Sequence, residues 1–262
     1  MKKILWALLF SSILVGNQIN RIQILGARNS GTNLLTDLIR LNFPRMPTFD
    51  YAQPKSYAFK HWPIWEHKSY EFNEQIFTYR TEHYYKMFED TRCLFVLIVR
   101  DPYQWLCSTY KTPYNFAKRS SFLEFISSPV IDTWKNHPVK NYKISPEIDP
   151  DTLDNFVNLL VYREKKMLNY MALKKRLKHF VVIKFEDLVA DQRAIVEQIN
   201  EKLGFRKATP FQKIEKDARK WMKDRSVKYK PYTIDKEAMQ FINENLNWDV
   251  ENLIGYEKKA QL

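Results

Sequence analysis

Cysteine is scarce in this chain: Cys93 and Cys107 are the two in 262 residues. Cys93 opens an apolar stretch and Cys107 falls in a helical pattern, so both read as buried thiols rather than a redox pair. No Cys/His spacing resembles a zinc site. There is no Asn-x-Ser/Thr sequon, so glycosylation lends no support to a secretory route. No internal repeat, low-complexity tract or second-domain boundary interrupts the chain, and its length suits one large α/β domain with a sizeable core. Long apolar runs are missing too. Residues 4–15, twelve positions without a charge, fall short of the roughly 20 needed to span a membrane. Preceded by Lys2 and Lys3, they read as a signal peptide over residues 1–16 or as a short retained anchor, giving membrane association through residues 4–15. A secretory-lumen, membrane-anchored or exported location is favoured over the cytoplasm. An extra helix packed on the domain is the plain alternative.

What the chain has in excess is positive charge, +12 overall. That suits a polyanionic partner: nucleic acid, an anionic membrane surface, an acidic glycan or a phosphorylated nucleotide. The basic residues are scattered rather than gathered into an arm, which argues against a dedicated nucleic-acid binder. Solvated lysines on helix faces account for most of them.

The organising stretch is residues 21–33, Arg-Ile-Gln-Ile-Leu-Gly-Ala-Arg-Asn-Ser-Gly-Thr-Asn. Residues 22–25 read as a buried strand and 26–31 as a tight loop. From Thr32 the apolar residues Leu34, Leu35, Leu38 and Ile39 fall at helical spacing. Strand, glycine loop and helix together aim backbone N–H groups and a positive helix end at a phosphate. Gly26-x-x-x-x-Gly31 matches the start of a nucleotide-triphosphate P-loop, but Thr32 and Asn33 stand where that motif needs Lys and Ser/Thr. A P-loop kinase is therefore disfavoured.

Residues 93–99, Cys-Leu-Phe-Val-Leu-Ile-Val, read as a central parallel strand covered on both faces. Asp101 can cap and Pro102 can open the helix that follows. Arg100 then sits at the carboxyl end of a central strand, where open α/β sheets place ligands. With Ser108 two turns along the helix, it can hold a second phosphate. A helix is expected over 153–178, with Leu153, Phe156, Val157, Leu160, Val161, Met167, Leu168 and Met171 on its apolar side. A buried strand is expected over 180–185, and helices over 190–203, stopped by Gly204, and about 234–246. Residues 56–60 are a short strand candidate. Residues 62–88 are crowded with aromatic rings that serve the core or line a cleft. Residues 127–151 read as a long irregular segment over the site. Alternating strands and helices argue a parallel sheet with helices on both sides.

With both phosphate elements in place, the chain resembles the sulfotransferase family, which uses 3′-phosphoadenosine 5′-phosphosulfate as co-substrate. The resemblance covers residues 20–258 and implies a single P-loop-like α/β domain. It makes Arg28, Asn29, Ser30, Gly31, Thr32 and Asn33 the 5′-phosphosulfate loop, and Arg100 with Ser108 the 3′-phosphate site. Phe185-Glu186-Asp187-Leu188 is similar to the family's Tyr-Glu-Asp-Leu segment and brings a ring to the adenine. Lys60-His61-Trp62-Pro63 is similar to its Lys/His stretch. Tyr162-Arg163 to Lys166 is similar to one subgroup. The loop's basic residue is Arg28, one place before the family's usual position. The family's Arg-Lys-Gly segment is absent in that form, and Lys228 with Lys230, or Arg219 with Lys220, take its part.

The implied reaction moves a sulfuryl group to an acceptor hydroxyl or amine and needs no metal. Arg28 and the loop N–H groups would stabilise the leaving phosphate. His61 would take the acceptor's proton, with Glu66 and His83 as reserves, and Lys60 would be a second electrophile. The acceptor is open among carbohydrate, phenol and peptide, and the basic surplus favours an anionic glycan over nucleic acid. A non-catalytic nucleotide- or anion-binding module is the alternative of another class.

Overall fold

The computed structural model describes residues 19–46, 91–113, 116–131, 149, 151–152, 154–204, 210–215 and 231–260. The expected segment 1–16, the strand candidate 56–60, the aromatic stretch 62–88 and most of 127–151 lie outside them. In chain order the elements are β1 (Arg21–Leu25), α1 (Thr32–Asn42), β2 (Cys93–Val99), α2 (Pro102–Lys111), α3 (Phe122–Ser127), α4 (Leu159–Arg176), β3 (Phe180–Lys184), α5 (Phe185–Ala190), α6 (Gln192–Leu203), α7 (Lys236–Asn245) and α8 (Trp248–Leu253).

Among the described residues the sheet has three parallel strands in the order β1-β2-β3, with Arg21 opposite Cys93 and Phe95 opposite Phe180. All seven residues of β2 are buried, because both faces of the sheet are covered. Side chains alternate between the faces. Leu25, Phe95, Leu97 and Val99 pack with α2, α3, α4, α7 and α8. Ile22, Ile24, Leu94, Val96, Ile98, Val181 and Ile183 pack with α1, α5 and α6. Burying the β2 side chains contributes about 10–20 kcal/mol before the entropy of ordering them is subtracted.

Short polar side chains set the helix starts. The Asp101 carboxylate accepts from the Gln104 N–H at 3.0 Å, with Pro102 at the first helical position. Ser121, Asn158, Asp191, Asp235 and Asn247 cap α3, α4, α6, α7 and α8 in the same way, each cap being worth about 1 kcal/mol. Gly204 ends α6 in the left-handed region, as expected.

Three expectations need correction. The helix expected over 153–178 begins at Leu159, because Asn158 accepts from the N–H groups of Leu160 and Val161 and ends the extended approach. Its buried residues are Leu159, Leu160, Tyr162, Arg163, Lys166, Met167, Tyr170, Met171 and Leu173, so the expected Leu160, Met167 and Met171 are inside, while Val157 and Leu168 are 62% and 41% exposed. An apolar-only pattern misjudges the face because two of its innermost residues carry charge. The strand expected to reach Phe185 stops at Lys184. Phe185 instead opens α5, whose first turn holds Glu186 and Asp187, where the positive end of a helix favours acids. Both cysteines are buried thiols, as expected.

Candidate functional site

The glycine loop crosses the carboxyl end of the sheet between β1 and α1. A Cβ on Gly26 would lie 2.7 Å from the Ile98 carbonyl oxygen, so only glycine lets the loop leave the sheet so close to β2. Gly31 has φ +95°, and a Cβ there would meet the Phe185 ring at 2.3 Å. Asn29 also lies in the left-handed region, at φ 63°, where Asn is the best tolerated of the larger residues.

Asn29 is held there by α2. Its Nδ2 donates to Thr109 Oγ1 at 3.3 Å and to the Thr112 carbonyl at 3.2 Å. The Trp105 indole N–H donates to the Arg28 carbonyl at 2.7 Å. Inside the loop, the Ser30 N–H donates to the Ala27 carbonyl at 3.2 Å. The Asn29 side chain is thus tied to α2, and the Ser30 N–H closes the loop's own turn. The N–H groups of Thr32, Asn33 and Leu34 open α1 and point beyond its end, the ordinary geometry for meeting an anion.

Arg100 leaves the end of β2 only 8% exposed. Its Nη1 donates to the Asn29 carbonyl at 3.1 Å, and its guanidinium carbon lies 4.5 Å from the centre of the Phe185 ring. The same ring covers Gly31, so Phe185 joins loop and arginine on their β3 side. The buried Arg100 Nε has no acceptor among the described residues. Leaving a buried donor unmet costs about 1–3 kcal/mol, which an incoming oxyanion would relieve. Ser108 is half-buried on α2. Positions 105, 108, 109 and 112 fall on one stripe of that helix, and Trp105, Thr109 and Thr112 of the stripe bond the loop.

A further layer clamps the turn that carries Arg100. The fully buried Arg163 donates from Nε and Nη2 to the two Glu251 oxygens at 2.5 and 2.8 Å, and Nη2 also donates to the Arg100 carbonyl at 2.8 Å. One residue on, the Asp101 N–H donates to Glu186 Oε1 at 3.2 Å, and the Tyr256 hydroxyl donates to Glu186 Oε2 at 2.8 Å. Burial first, and the Glu186 charge second, push the Tyr256 hydroxyl far above its usual pKa, so it remains a donor. Lys259 pairs with Asp101 at 2.7 Å. Gln104 and the backbone of Tyr232 bond reciprocally, at 3.2 and 2.7 Å, and dock the chain that follows Lys230 onto α2.

The structure thus gathers Arg28, Asn29, Ser30, Gly31, Thr32, Asn33, Arg100, Ser108 and Phe185 at one end of the sheet. Lys60, His61, Lys228 and Lys230, with Glu66, His83, Arg219 and Lys220, lie outside the described residues. Sequence reasoning missed the clamping roles of Trp105, Glu251 and Tyr256. For Arg163 a signal was present: a charge at a core position of an otherwise apolar helical stripe. No protein-family model matches this chain, and no curated protein matches it.

Proposed function

We propose that the chain is a sulfotransferase with a P-loop-like domain over residues 20–258, taking 3′-phosphoadenosine 5′-phosphosulfate as sulfuryl donor. The observation that carries this is Arg100: a buried guanidinium with one N–H on the glycine loop, a ring beside it and Nε unmet. A glycine loop alone fits any phosphate. A loop bonded to a buried arginine at the neighbouring strand end fits a nucleotide phosphorylated on both its 5′ and 3′ sides.

In the reaction, the acceptor oxygen attacks sulfur as the bond from sulfur to the bridging phosphate oxygen breaks. A sulfate ester and adenosine 3′,5′-bisphosphate result. The loop N–H groups and Arg28 meet the charge that builds on the leaving phosphate. His61 accepts the acceptor's proton, and Lys60 adds positive charge at the leaving oxygen. Arg100 and Ser108 grip the 3′-phosphate, helped by Lys228 and Lys230, whose continuation at Tyr232 is docked on α2. The acceptor is a hydroxyl or an amine, with an anionic carbohydrate favoured by the chain's positive charge.

Calorimetric titration with adenosine 3′,5′-bisphosphate, beside ATP and 5′-AMP, tests this. The bisphosphate should bind selectively. Arg100→Ala should weaken it about 10–100-fold, the worth of a charge-assisted contact of roughly 1.5–3 kcal/mol. Equal or absent binding of all three nucleotides would overturn the proposal. Asn29 favours a second reading, a non-catalytic nucleotide-binding module, because it occupies the usual place of the loop cation and its side chain is committed to α2. That module would bind the bisphosphate yet transfer no sulfuryl group to any acceptor, whereas the enzyme loses transfer in His61→Ala.

A further inference from the structure

A second concavity opens where the chain folds back after α8. Its volume is about 410 Å³, and Trp248, Asn252, Gly255, Glu257 and Lys258 line it. That is within the range of about 300–1,000 Å³ usual for small-molecule sites. None of the lining residues belongs to the glycine loop or to the group around Arg100. Trp248 and Asn252 stand four residues apart on α8 and so share one face. Gly255 then takes a φ of +84°. The Gly255 and Tyr256 N–H groups donate back to the Asn252 and Glu251 carbonyls, both at 3.0 Å. This left-handed cap turns the chain, and Glu257 and Lys258 come to border the same space as Trp248.

Both walls are fixed before any ligand arrives. The Trp248 indole N–H donates to the Asn243 carbonyl at 3.1 Å, and the ring packs against Tyr103 with centroids 5.6 Å apart. With its one donor taken, the half-buried indole offers the space a ring surface and no polar group. The opposite wall is held by Lys184, whose ammonium donates to the Gly255 carbonyl at 2.5 Å. Tyr256 and Lys259 tie it further, to Glu186 and Asp101 at 2.8 and 2.7 Å. Walls anchored in this way lose little freedom when a ligand binds.

The polar groups between them are uncommitted. Asn252, Glu257 and Lys258 are exposed, and their side chains make no hydrogen bond or ion pair among the described residues. Glu257 accepts, Lys258 donates and the Asn252 amide does both. The two charges cancel, so a cation is opposed by Lys258 and an anion by Glu257. An apolar ligand would cover both charges without pairing either, which is costly. A small zwitterion would pair both and leave the indole surface bare. A sugar ring answers every group at once: its C–H face is apolar, and its hydroxyls donate and accept around the rim.

We propose that this pocket binds a neutral pyranose, with the C–H face of the ring on Trp248 and its hydroxyls on Asn252, Glu257 and Lys258. A glycan held here is gripped at a point apart from any group that reacts. The pocket stands independently of the chemistry at the glycine loop, and of the acceptor cleft expected over residues 62–88 and 127–151.

Saturation-transfer NMR on the full chain tests it, with the methyl glycosides of glucose, galactose, mannose and N-acetylglucosamine at millimolar concentration beside L-phenylalanine. At least one glycoside should receive saturation, most strongly at the C–H protons of one ring face. Trp248→Ala should abolish the signal. Because that change also removes packing against Tyr103, Glu257→Ala/Lys258→Ala supplies the second variant. Both side chains are exposed and unbonded, so its unfolding midpoint should match wild type while glycoside binding falls about tenfold per hydrogen bond lost. Its affinity for adenosine 3′,5′-bisphosphate should be unchanged, which separates failure of this pocket from failure of the nucleotide site. Absence of binding by every glycoside would overturn the proposal, as would glycoside binding that survives in both variants. So would phenylalanine binding, in place of the glycosides, that depends on the same residues.

Discussion

Glu251→Ala should be among the most damaging single changes in this chain. Arg163 is 1% exposed and Glu251 is fully buried, joined by two bonds of 2.5 and 2.8 Å. Removing the carboxylate leaves a guanidinium charge in the core met by the Arg100 carbonyl and the Trp105 ring face but by no counter-charge bonded to it, at a cost of about 3–5 kcal/mol. Against a typical total stability of about 5–15 kcal/mol, that is roughly a fifth or more. For a chain of this size the melting temperature should fall by about 6–20 °C. Arg163→Met/Glu251→Leu should recover most of the loss, since apolar residues of similar volume often replace a buried pair without penalty. That double variant still removes the donor from the Arg100 carbonyl, so it should fold well yet bind adenosine 3′,5′-bisphosphate poorly. Urea unfolding followed by tryptophan fluorescence supplies the four corners of the cycle. A Glu251→Ala variant within about 1 kcal/mol of wild type would show that the pair is not the desolvated clamp described here. A double variant as unstable as the two single changes summed would show the same.

Other outcomes follow from the same geometry. Gly31→Ala should lower the unfolding midpoint and displace Phe185, because its Cβ would lie 2.3 Å from that ring at a φ of +95°; unchanged stability would mean the loop can re-form around the ring. Burial pushes the Cys93 and Cys107 thiols up to about 12 and about 11. At pH 8 only about one in ten thousand and one in a thousand are thiolate. A thiol reagent should therefore react slowly with the native chain and fully in urea, and rapid native labelling would contradict the burial. The Tyr256 hydroxyl has its pKa raised in the fold, so its stabilising contribution is complete below the unfolded value near 10 and declines as pH rises beyond it. Tyr256→Phe should lower stability at neutral pH by about 1 kcal/mol and flatten the decline above pH 10. A steeper alkaline decline in the variant would contradict the assignment.

Much of the fold was legible because its signals are local. Seven consecutive apolar residues announce β2, and Asp101-Pro102 announces the start of α2 with no knowledge of neighbours. The covering of both sheet faces follows from β2 being apolar at odd and even positions alike. What was hidden depends on partners distant in sequence. Arg163 and Lys166 fall outside an apolar-only pattern, and Glu251 lies 88 positions from Arg163. Asn29 read only as part of the glycine loop. Its commitment to Thr109 and Thr112, 80 and 83 positions away, depends on where α2 lies across the loop. The start of α5 was masked by Phe185, which continues the apolar run of β3 and so prolonged the apparent strand.

The clamp around Arg100 also sets a timetable for synthesis. The glycine loop, β2 and α2 leave the ribosome early, yet the turn between β2 and α2 is completed by Glu251, Tyr256 and Lys259. At translation rates of about 5–20 residues per second, those partners arrive roughly 8 to 30 seconds after Arg100. Until then Arg163, which donates to the Arg100 carbonyl, is without the Glu251 carboxylate that balances its charge. The glycine-loop end of the molecule is therefore drafted first and finished last, so a chain released before residue 251 would lack the carboxylate that completes the turn at Arg100.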